Sequence, residues 1–531
     1  MPKIKIPYQK TGYFTKTMCD YLSQDTTLSD FYGNFPTLEN FKNQINLKKV
    51  SFSSEMRQVL NKQLNVQYST TKTSKTTLEN INSLLAKTTF TVTTGHQLNL
   101  FTGPLYFLYK IFSVINLSEE LKKAYPENHF VPIYWMATED HDFDEINYFN
   151  FKDKKIAWNR EDGGAVGELS TEGLDKVLEI LIKEFGQSEN GKKLSQLFEE
   201  AYINHKTLTE ATRYLGNELF KEYGLVIVDG NDAQLKKAFI PYAEKELAEN
   251  LSFKKVTETT NRLIAAGYGE QVYPREINLF YLKEGLRERI VEFEGEFQIV
   301  DTDIKFSKDQ IFNELQNYPE RFSPNALLRP LYQEVILPNL CYTGGGGELA
   351  YWFQLKDYFK SVDVPFPVLL LRNSALLIPS KVSEKLQKMD VKIVELFKKQ
   401  HQLQTDFTKK ISKIKIDFTT QREHLKQQFE SMYDVAEKTD ASFRGAVEAQ
   451  ETKQLKGLDN LEKRLLKAQK RKLVDQLGRL TALQDELFPK QSLQERNTNF
   501  SQFYLEYGGS LLNTLKDDLK PLALEFSVFE L

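Results

Sequence analysis

Six titratable side chains stand together directly after an apolar stretch of the sequence. That stretch, FVPIYWMAT at 130–138, is followed by Glu139, Asp140, His141, Asp142, Asp144 and Glu145. Neighbouring carboxylates beside a histidine could supply a base, bind an amine or hold Mg²⁺ together with a nucleotide. The alternative is a solvated acidic loop, which the apolar stretch leading into the segment disfavours. No third ligand at a familiar spacing joins His96 and His141, so a zinc site is not expected.

A second candidate is the segment TGHQLNLFTGPLY, which Thr93 precedes. It joins a strand-like stretch to a predicted helix, and a helix start offers free N–H groups and positive partial charge. Thr94, Gly95 and Gly103 would let a phosphate or carboxylate approach the backbone, and His96 could donate a hydrogen bond to it. Alternatively, the two glycines only set turns while His96 caps the helix.

Four consecutive glycines form a third candidate. Gly344, Gly345, Gly346 and Gly347 precede Glu348 and a predicted helix. Their backbone could form an anion-binding nest or let a ligand lie flat against the chain, and a flexible hinge is the alternative. No Lys-Ser or Lys-Thr pair follows them, which rules out a P-loop.

Two short motifs on either side of the glycines contain arginine. Arg329 follows Asn325 in SPNALLRP, and Arg372 precedes Asn373 in LLLRN. The guanidinium fork suits carboxylate or phosphate groups, so these four residues are candidate substrate or nucleotide contacts. A buried structural ion pair is the alternative for either arginine. Cys341 stands close to the glycines, and an apolar packing role is favoured over a nucleophile because no base lies near it in sequence.

Alternating strand and helix patterns must position these candidates. The predicted strands are 88–95, 130–138, 224–230, one leading into the glycines from 341, and 365–373, with helical patterns between them. Strands joined by helices pair in parallel through right-handed crossovers. Ligands bind beyond the carboxyl ends of such strands, where the loops after 95 and 138 both lie. The sequence therefore predicts an α/β fold with a parallel sheet and a site at one sheet edge.

Two further regions differ from this core. Residues 279–300 alternate apolar and polar side chains with glycines between them, which predicts a small antiparallel insert. From about 380 to 488 glycine and proline nearly vanish, and leucines recur at every seventh position from Leu466 to Leu487. This pattern predicts an antiparallel coiled coil with a tip at 440–450. Its arms of roughly 50 residues would each be about 75 Å long.

Composition limits the class of protein. The chain has 531 residues, 40% apolar and 27% charged, which describes a folded protein too long for a single core. A formal net charge of -3 gives no global attraction to nucleic acid or membranes, and the basic run at 463–479 fits the outer face of a coiled coil. The two cysteines are far apart in the sequence, and we see neither a signal sequence nor an apolar run long enough to cross a membrane. We therefore expect a cytoplasmic protein.

Four strings of the sequence together resemble a known family. These strings are TGHQLNLFTGPLYFLYK, VPIYWMATEDHDFDEINYF, SPNALLRPLYQE and YTGGGGELAYW. With them the chain resembles, over its whole length, the cysteine ligases of bacillithiol biosynthesis, the BshC family. The resemblance implies a Rossmann-like core with connecting inserts, similar to class I nucleotidyltransferases and cysteinyl-tRNA synthetases, and a coiled coil that makes a homodimer. It also implies addition of L-cysteine to glucosaminyl-malate.

The resemblance assigns site residues as well. The first active-site loop that it implies comprises Thr94, Gly95, His96, Gln97, Asn99, Thr102 and Gly103, and the second comprises Glu139, Asp140, His141 and Asp142. We expect His96, Asp140, His141 and Asp142 to be catalytic and the other candidates to bind substrate or nucleotide. The chain has neither the HIGH nor the KMSKS sequence of class I synthetases, so their mode of ATP activation is not implied.

Domain limits and partners follow from these patterns. We expect a Rossmann-like core at 1–379 with inserts at about 151–222 and 267–325, a coiled-coil arm at 380–488, and a segment at 489–531 that returns to the core. The expected reaction is amide formation between L-cysteine and glucosaminyl-malate, with ATP or ADP accompanied by Mg²⁺ and with no structural metal. The alternative is a non-catalytic nucleotide- or metabolite-binding protein that dimerises through its arm. A second copy of the chain is an expected partner, and nucleic acid and membranes are not.

Overall fold

The computed structural model describes residues 3–161 and 163–531, so residues 1, 2 and 162 of the predicted core lie outside the described residues. The chain divides into two compact units. The first runs to Leu376 and takes in Gln494–Phe529, and the second comprises Leu377–Leu493 with Glu530–Leu531. Among the described residues, no helix combines the length and the apolar character that crossing a bilayer requires.

A five-stranded parallel sheet forms the core of the first unit. Its strands are β1 (Thr89–His96), β2 (His129–Met136), β3 (Val226–Asp229), β4 (Asn339–Gly344) and β5 (Val368–Leu371). The strand order is β5-β4-β1-β2-β3, and all neighbouring strands are parallel. Almost all of their residues are buried, as expected for a parallel sheet that is covered on both faces. The predicted Rossmann-like α/β fold is confirmed.

The strand order changes direction between β1 and β4. From β1 the sheet extends through β2 and β3 on one side, whereas β4 and β5 add on the other side. The carboxyl ends of β1 and β4 therefore flank a topological switch point, which is where open α/β sheets bind ligands. Tyr342 on β4 is paired with Thr93 on β1, so the loops that follow these two strands begin side by side.

Helices connect the strands. α1 (Tyr106–Ala124) leads from β1 to β2, and its residues Phe107–Ser118 are buried on every face, as in a helix enclosed by the protein. α2 (Arg329–Ile336) precedes β4, and α3 (Gly346–Phe353) follows it. Other helices of the first unit are Tyr8–Thr11, Lys16–Leu22, Leu38–Ser51, Ser54–Gln67, Lys75–Ser83, Phe143–Ile146, Leu174–Phe185, Glu189–Tyr202, Leu208–Phe220, Ala233–Lys237, Ile240–Glu249, Leu251–Ala265, Lys308–Asn317, Lys356–Ser361, Ser501–Tyr507 and Ser510–Asp518.

An antiparallel sheet of five strands is inserted between β3 and β4. Its strands, in order across the sheet, are Lys305–Ser307, Glu296–Ile299, Leu286–Phe293, Leu279–Lys283 and Phe322–Pro324. Two-residue turns end in Gly285 and Gly295, whose φ angles of +68° and +84° favour glycine. The insert predicted at 279–300 is therefore present, with two further strands. Shorter strands pair Tyr148–Phe151 with Lys154–Ala157 and Lys3–Pro7 with Glu525–Glu530, and another strand is Ala375–Ile378.

The second unit contains a helical hairpin. Its helices are α4 (Gln400–Ile411), α5 (Thr419–Ala436), α6 (Ala441–Lys472) and α7 (Val474–Leu487), and the shorter helix Ser380–Lys388 precedes them. α5 packs against α6 around a small apolar core of Phe429, Ala436 and Val447, and α4 packs against α7. The predicted coiled-coil arm is confirmed.

The outgoing side of the hairpin is not the continuous helix that the heptad spacing predicted. It breaks at 412–418. There the Ser412 side chain bonds to the backbone of Ile414, and the Asp417 side chain accepts a hydrogen bond from the N–H of Thr419 at 2.9 Å. Such local side-chain bonds compete with the backbone bonds that would continue a helix.

The tip of the hairpin lies at 437–440, so it ends at the first residue of the predicted segment 440–450 and not inside that segment. Asp440 begins α6 by accepting a hydrogen bond from the N–H of Phe443 at 3.0 Å, which is the geometry of a helix N-cap. Gly445, which suggested a turn in the sequence, lies inside α6. The capping aspartate, and not the glycine, determines where the chain reverses.

Candidate active site

A cavity of about 720 Å³ lies where β1, β2 and β4 end. The predicted residues that line it are Gly95, His96, Gln97, Glu139, Asp140, His141, Asn325, Arg329, Gly345, Gly346, Gly347, Glu348 and Arg372. The sheet thus brings together segments that are distant in sequence. The other predicted residues, all within the described parts of the chain, do not line this cavity; they are Thr94, Asn99, Thr102, Gly103, Asp142, Gly344 and Asn373.

The loop after β1 is shaped by its own hydrogen bonds. The Thr94 hydroxyl donates to the carbonyl of Thr343 on β4 at 2.7 Å, and the Asn99 amide donates to the carbonyl of Glu145 at 3.1 Å. Gly103 has a φ of +63°, and an added Cβ there would lie 2.6 Å from the Cβ of Asn99. Thr94 and Gly103 therefore maintain the shape of the loop. For Gly103 this agrees with the alternative that the glycine sets a turn and does not bind an anion.

His96 ends β1 with its ring buried against Tyr106 and Phe107. Burial and the positive charge of Lys110 lower the pKa of His96 to about 3, although the carbonyl of Thr102 and Glu348 act in the opposite direction. The ring is therefore neutral near pH 7. A neutral imidazole donates from only one nitrogen, so His96 brings no positive charge to a bound anion.

The first two carboxylates of the acidic segment are already bound. Glu139 forms an ion pair with Lys236, whose side chain is buried. Asp140 accepts hydrogen bonds from the Gln97 amide at 2.9 Å and from the N–H of His141 at 2.8 Å. Burial raises the pKa of Asp140, but His141, Gln97 and the charge of Arg287 outweigh burial and hold that pKa well below its usual range. Asp140 is thus an ionised carboxylate that can hold an ammonium group.

His141 faces Arg287 of the antiparallel insert. The Nη1 atom of Arg287 lies 2.7 Å from Nδ1 of His141. Because a guanidinium group only donates, Nδ1 must accept, and the neutral ring carries its proton on Nε2. The 3.7 Å separation between Nδ1 and the nearer oxygen of Asp140 is too long for a competing hydrogen bond. His141 therefore offers a donor at Nε2.

Asp142 serves the local fold. Its side chain accepts a hydrogen bond from the N–H of Glu145 at 3.3 Å and caps the short helix Phe143–Ile146. The carboxylate is exposed and lies away from the cavity wall that the described residues form. The sequence Asp-x-x-Glu at 142–145 is typical of a helix start, so the capping role of Asp142 could be predicted from the sequence.

The loop after β4 is closed by Glu348. This carboxylate accepts hydrogen bonds from the N–H of Gly345 and the hydroxyl of Tyr342, both at 2.7 Å, and pairs with Lys110 at 2.8 Å. Burial raises the pKa of Glu348, but Lys110 and these hydrogen bonds outweigh burial and lower it. An anion entering this loop would meet an ionised carboxylate, which argues against the predicted anion nest at the four glycines.

The glycines of this loop have other physical reasons to be glycine. Gly344 is the last residue of β4, and Gly346 and Gly347 begin α3, so no flexible four-residue loop exists here. An added Cβ at Gly344 would lie 2.9 Å from the Tyr342 ring, and one at Gly346 would lie 2.9 Å from the Met18 side chain. Close packing accounts for both positions.

Arg329 and Arg372 differ in their partners. Arg372 pairs with Glu495 at 2.7 Å, so it forms the buried structural ion pair that was the alternative to substrate binding. The buried Nε atom of Arg372 has no partner among the described residues. Arg329 donates to the neutral side chains of Gln333 at 3.0 Å and Tyr351 at 3.3 Å. Arg329 thus keeps an unneutralised charge at the cavity wall.

The two asparagines predicted beside the arginines, Asn325 and Asn373, hold backbone in place. The Asn325 side-chain oxygen accepts from the N–H groups of Leu327 at 2.9 Å and Leu328 at 3.2 Å, just before α2. The Asn373 amide donates to the carbonyl of Lys520 at 3.0 Å. Only Asn325 reaches the cavity wall.

Sequence reasoning missed most of the positive charge of the cavity. Lys110, Arg275, Arg287, Arg289 and Arg496 also line the wall. Within residues 3–161 and 163–531, none of these four arginines forms an ion pair with a carboxylate. Counted with Arg329 and Arg372, the wall holds Lys110 and six arginines against the carboxylates of Glu139, Asp140 and Glu348, each of which is already bound. Such a wall attracts anions.

A nucleophilic cysteine and a protein-held metal ion receive no support from the geometry. Cys341 is fully buried on β4, and burial raises the pKa of its thiol far above the ordinary value, so the thiolate is not available. In the described part of the chain, no three His, Cys, Asp or Glu side chains are grouped so that they could ligate a metal ion.

The fold and cavity define a class of α/β protein with a Rossmann-like core, a cation-lined site at its switch point and a coiled-coil arm. Two family models match the chain: the N-terminal Rossmann-like domain of bacillithiol biosynthesis BshC at residues 1–373 and the C-terminal coiled-coil domain of BshC at residues 375–531. The chain therefore belongs to the BshC family.

Curated relatives extend this match over nearly the whole chain. Proteins named "Putative cysteine ligase BshC" are 57% identical in Christiangramia forsetii and 55% identical in Flavobacterium johnsoniae, each over 99% of both chains. The protein of that name in Flavobacterium psychrophilum is 53% identical over 100% of both chains. These relatives identify the chain as a ligase, which disfavours the alternative of a non-catalytic binding protein.

Proposed function

We propose that the chain joins the carboxyl group of L-cysteine to the amine of glucosaminyl-malate in a nucleotide-dependent reaction. One observation carries this proposal: the cavity wall holds Lys110 and six arginines, of which only Lys110 and Arg372 are paired with a carboxylate in the described residues, while the three carboxylates of the wall are already bound. Malate contributes two carboxylates, which suit guanidinium groups in a concave site. The name of the relatives, cysteine ligase, supplies the amino acid.

Asp140 is the proposed partner of the substrate amine. Its ionised carboxylate faces the cavity and can bind and orient the ammonium form of the amine. An ammonium has no lone pair, so the bound amine first releases one proton to solvent and then attacks the activated carboxyl carbon. The pKa of the nitrogen falls as the C–N bond forms and the leaving group departs, so Asp140, a weak base because of its lowered pKa, can accept the second proton at that stage. Positioned bases of this kind contribute roughly 10² to 10⁴-fold to rates.

His141 is the proposed donor to the cysteine carboxyl group. Because Arg287 donates to Nδ1, the proton on Nε2 is free to bond to an oxygen that gains negative charge during the reaction. His96 is instead assigned to positioning the loop after β1, since its Nε2 atom is buried away from solvent. These roles divide the residues predicted to be catalytic into two that contact substrate and two, His96 and Asp142, that hold backbone.

A nucleotide would supply the activation that a free carboxylate lacks, because a carboxylate is a poor electrophile. The residues present fit phosphate groups: Arg329 donates to neutral partners, and Arg275 and Arg496 line the same wall without an ion pair among the described residues. Mg²⁺ accompanying the nucleotide would be held by phosphate oxygens and water, since Glu139 is paired with Lys236, Asp140 is assigned to the substrate amine and Asp142 caps a helix.

We also propose that two copies associate through the arm, in the cytoplasm. Met432, Val435 and Leu461 are exposed apolar residues of the hairpin, and closed two-fold assembly is the commonest way to cover such a surface. Both cysteines are free, which suits a reducing compartment. Replacing residues 384–486 with a short linker should give a monomer in analytical ultracentrifugation, and a dimeric deletion variant would refute this assembly.

The direct test of the reaction is turnover by the purified chain. We expect L-cysteine, glucosaminyl-malate, ATP and Mg²⁺ together to give the amide product by mass spectrometry, with one nucleotide consumed per amide bond. Glucosamine without malate is the matched control substrate and should react far more slowly, because it lacks the carboxylates. Turnover without any nucleotide would remove the nucleotide step alone, and equal turnover of both sugars would remove the role assigned to the cationic wall.

A further inference from the structure

A buried hydrogen-bond network adjoins two arginines of the cavity wall. Its centre is Asn278, which directly precedes the strand Leu279–Lys283. The Asn278 amide donates to the hydroxyl of Ser252 at 2.7 Å and to the carboxylate of Glu246 at 3.3 Å. All three side chains are fully buried, and none of them lines the cavity formed by the described residues. The network therefore lies outside the wall that a ligand would touch.

Glu246 is a buried carboxylate that is held by neutral donors. It accepts hydrogen bonds from the Ser252 hydroxyl at 2.7 Å and from the backbone N–H groups of Ser252 at 3.0 Å and Asn278 at 2.9 Å. Burial raises the pKa of Glu246, and these hydrogen bonds counteract part of that rise. Because each of these partners donates, the network requires the ionised carboxylate.

The carboxylate fixes which way the Asn278 amide points. The Ser252 hydroxyl donates its proton to Glu246 and so faces Asn278 as an acceptor, which places the amide nitrogen on that side. The amide oxygen then accepts from the N–H of Arg275 at 3.0 Å, and the nitrogen also donates to the Arg275 carbonyl at 2.8 Å. One buried side chain thus holds both backbone polar groups of Arg275.

Asn325 carries the same restraint to Arg329. Its side-chain amide donates to the Asn278 side-chain oxygen at 2.8 Å, and its backbone N–H donates to the Asn278 carbonyl at 3.1 Å. Its own side-chain oxygen is thereby turned toward the N–H groups just before α2, from which it accepts. The Asn325 carbonyl accepts from the N–H of Arg329, the first residue of α2, at 2.8 Å. Asn278 is therefore linked to both arginines.

We propose that Asn278 is a positioning residue for the reaction: oriented by Glu246, it fixes where Arg275 and Arg329 stand in the cavity wall. The inference rests on the proposed function for its ligand, the anionic substrate. A carboxylate held by neutral donors is costly to bury, because no opposite charge offsets its desolvation. Apolar packing would fill the same space at lower cost, whereas a binding site needs its charged groups held in one geometry by a supporting shell.

The test is a double-variant cycle on the binding of glucosaminyl-malate to the full-length chain, measured by calorimetry. Asn278→Ala should weaken binding about 10-fold in the wild-type background. In a chain that already carries Arg329→Gln, the same substitution should weaken binding only about 3-fold, because Arg275 alone remains to be misplaced. An equal loss in both backgrounds would show that Asn278 does not act through Arg329 and would overturn the proposal.

Two further variants complete the comparison. Asn217→Ala is the matched control and should bind like the wild-type chain: Asn217 is also buried, its amide donates to the Lys72 carbonyl at 2.9 Å, and it lies outside the cavity wall that the described residues form. Glu246→Gln keeps the shape of the carboxylate and serves if Asn278→Ala does not fold. Whichever way the new amide turns, its NH₂ group faces an N–H of Ser252 or Asn278.

Turnover distinguishes positioning of the wall from a general loss of structure. Glu246→Gln should raise KM for glucosaminyl-malate about 3-fold and leave kcat within about 2-fold of the wild-type value, because the groups assigned to the chemistry are untouched. A fall in kcat with an unchanged KM would overturn the proposal.

Crystal structures separate this proposal from the proposed function. We expect the backbone at Arg275 and the guanidinium group of Arg329 to move by about 1 Å in Asn278→Ala or Glu246→Gln and to stay in place in Asn217→Ala. If the wild-type chain does not bind glucosaminyl-malate, the proposed function fails and the displacement alone decides. Unmoved arginines would overturn the positioning role whatever the substrate proves to be.

Discussion

Strands β1 and β4 lie side by side and carry the same Thr-Gly pair near their carboxyl ends, at Thr94-Gly95 and Thr343-Gly344, yet the polar groups at the two strand ends have different partners. After β4, Glu348 takes up the Gly345 N–H and the Tyr342 hydroxyl within the loop itself. After β1, Nε2 of His96 is buried with no partner among the described residues. Glycine content therefore does not mark the anion site. The positive charge comes from arginines on other elements.

Lys110 connects the two loops and gives the largest expected effect. Its ammonium group donates to the Gly95 carbonyl at 2.7 Å and pairs with Glu348 at 2.8 Å. Lys110→Met leaves Glu348 ionised without its cation, and breaking such a buried pair typically costs about 3–5 kcal/mol. Glu348 is partly exposed to the cavity, so we expect about 2–3 kcal/mol in urea unfolding.

The double variant Lys110→Met/Glu348→Gln tests whether the pairing itself is responsible. Removing both charges should restore roughly half or more of the lost free energy of unfolding, because no unpaired charge remains. Strictly additive losses in this cycle would show that the two loops are not coupled through this pair.

Two neighbouring aspartates offer the next contrast, in activity. Asp140→Asn should lower turnover roughly 10²-fold, since the charge that binds the substrate amine is lost. Asp142→Asn is the control and should stay within about 3-fold, because asparagine caps a helix as well as aspartate does. Equal losses in the two variants would mean that the acidic segment acts as a unit and not through Asp140.

His96 predicts a pH dependence of stability. The folded pKa of about 3 lies below the unfolded value of about 6.5, so the unfolded chain binds the extra proton between these values. Stability is therefore fully present above pH 6.5 and falls as the pH decreases toward 3, with a slope of up to about 1.4 kcal/mol per pH unit. Between pH 7.5 and 5.5 the wild-type chain should lose about 1.4 kcal/mol that His96→Gln does not lose. Parallel urea curves for the two proteins would contradict the buried neutral ring.

The smallest effect is expected at Cys341, on the strand that leads into the glycine loop. Its thiol is buried with a raised pKa, so iodoacetamide should not modify it in the folded chain. Cys341→Ser should change turnover by no more than about 2-fold, although burying a hydroxyl lowers stability. Rapid alkylation that stops turnover would reopen a nucleophilic role.

The core was predictable because strand and helix periods are local signals. The buried strands β1 and β2 and the heptads of the arm follow directly from the spacing of apolar residues. The break at 412–418 could not be predicted in this way, because it depends on single hydrogen bonds to the side chains of Ser412 and Asp417, which the spacing of apolar residues does not encode.

The site was predictable in part for the same reason. Loops after parallel strands meet at one edge, which located Gly95, Asp140 and Arg372 at the cavity. Lys110 left a signal, as a lone lysine inside the apolar helix α1, whereas Arg287 and the other arginines of the insert alternate with polar residues and reach the cavity only through the fold.

The central claim, that the cationic wall receives the malate part of the substrate, is tested most directly by calorimetric binding of glucosaminyl-malate alone. We predict binding that weakens with salt and an affinity roughly 10-fold lower in Arg329→Gln, because a charge-assisted hydrogen bond is lost. Arg262→Gln, which removes a surface ion pair with Asp357, should bind like the wild-type chain. Equal affinity in all three proteins, with no dependence on salt, would contradict the account.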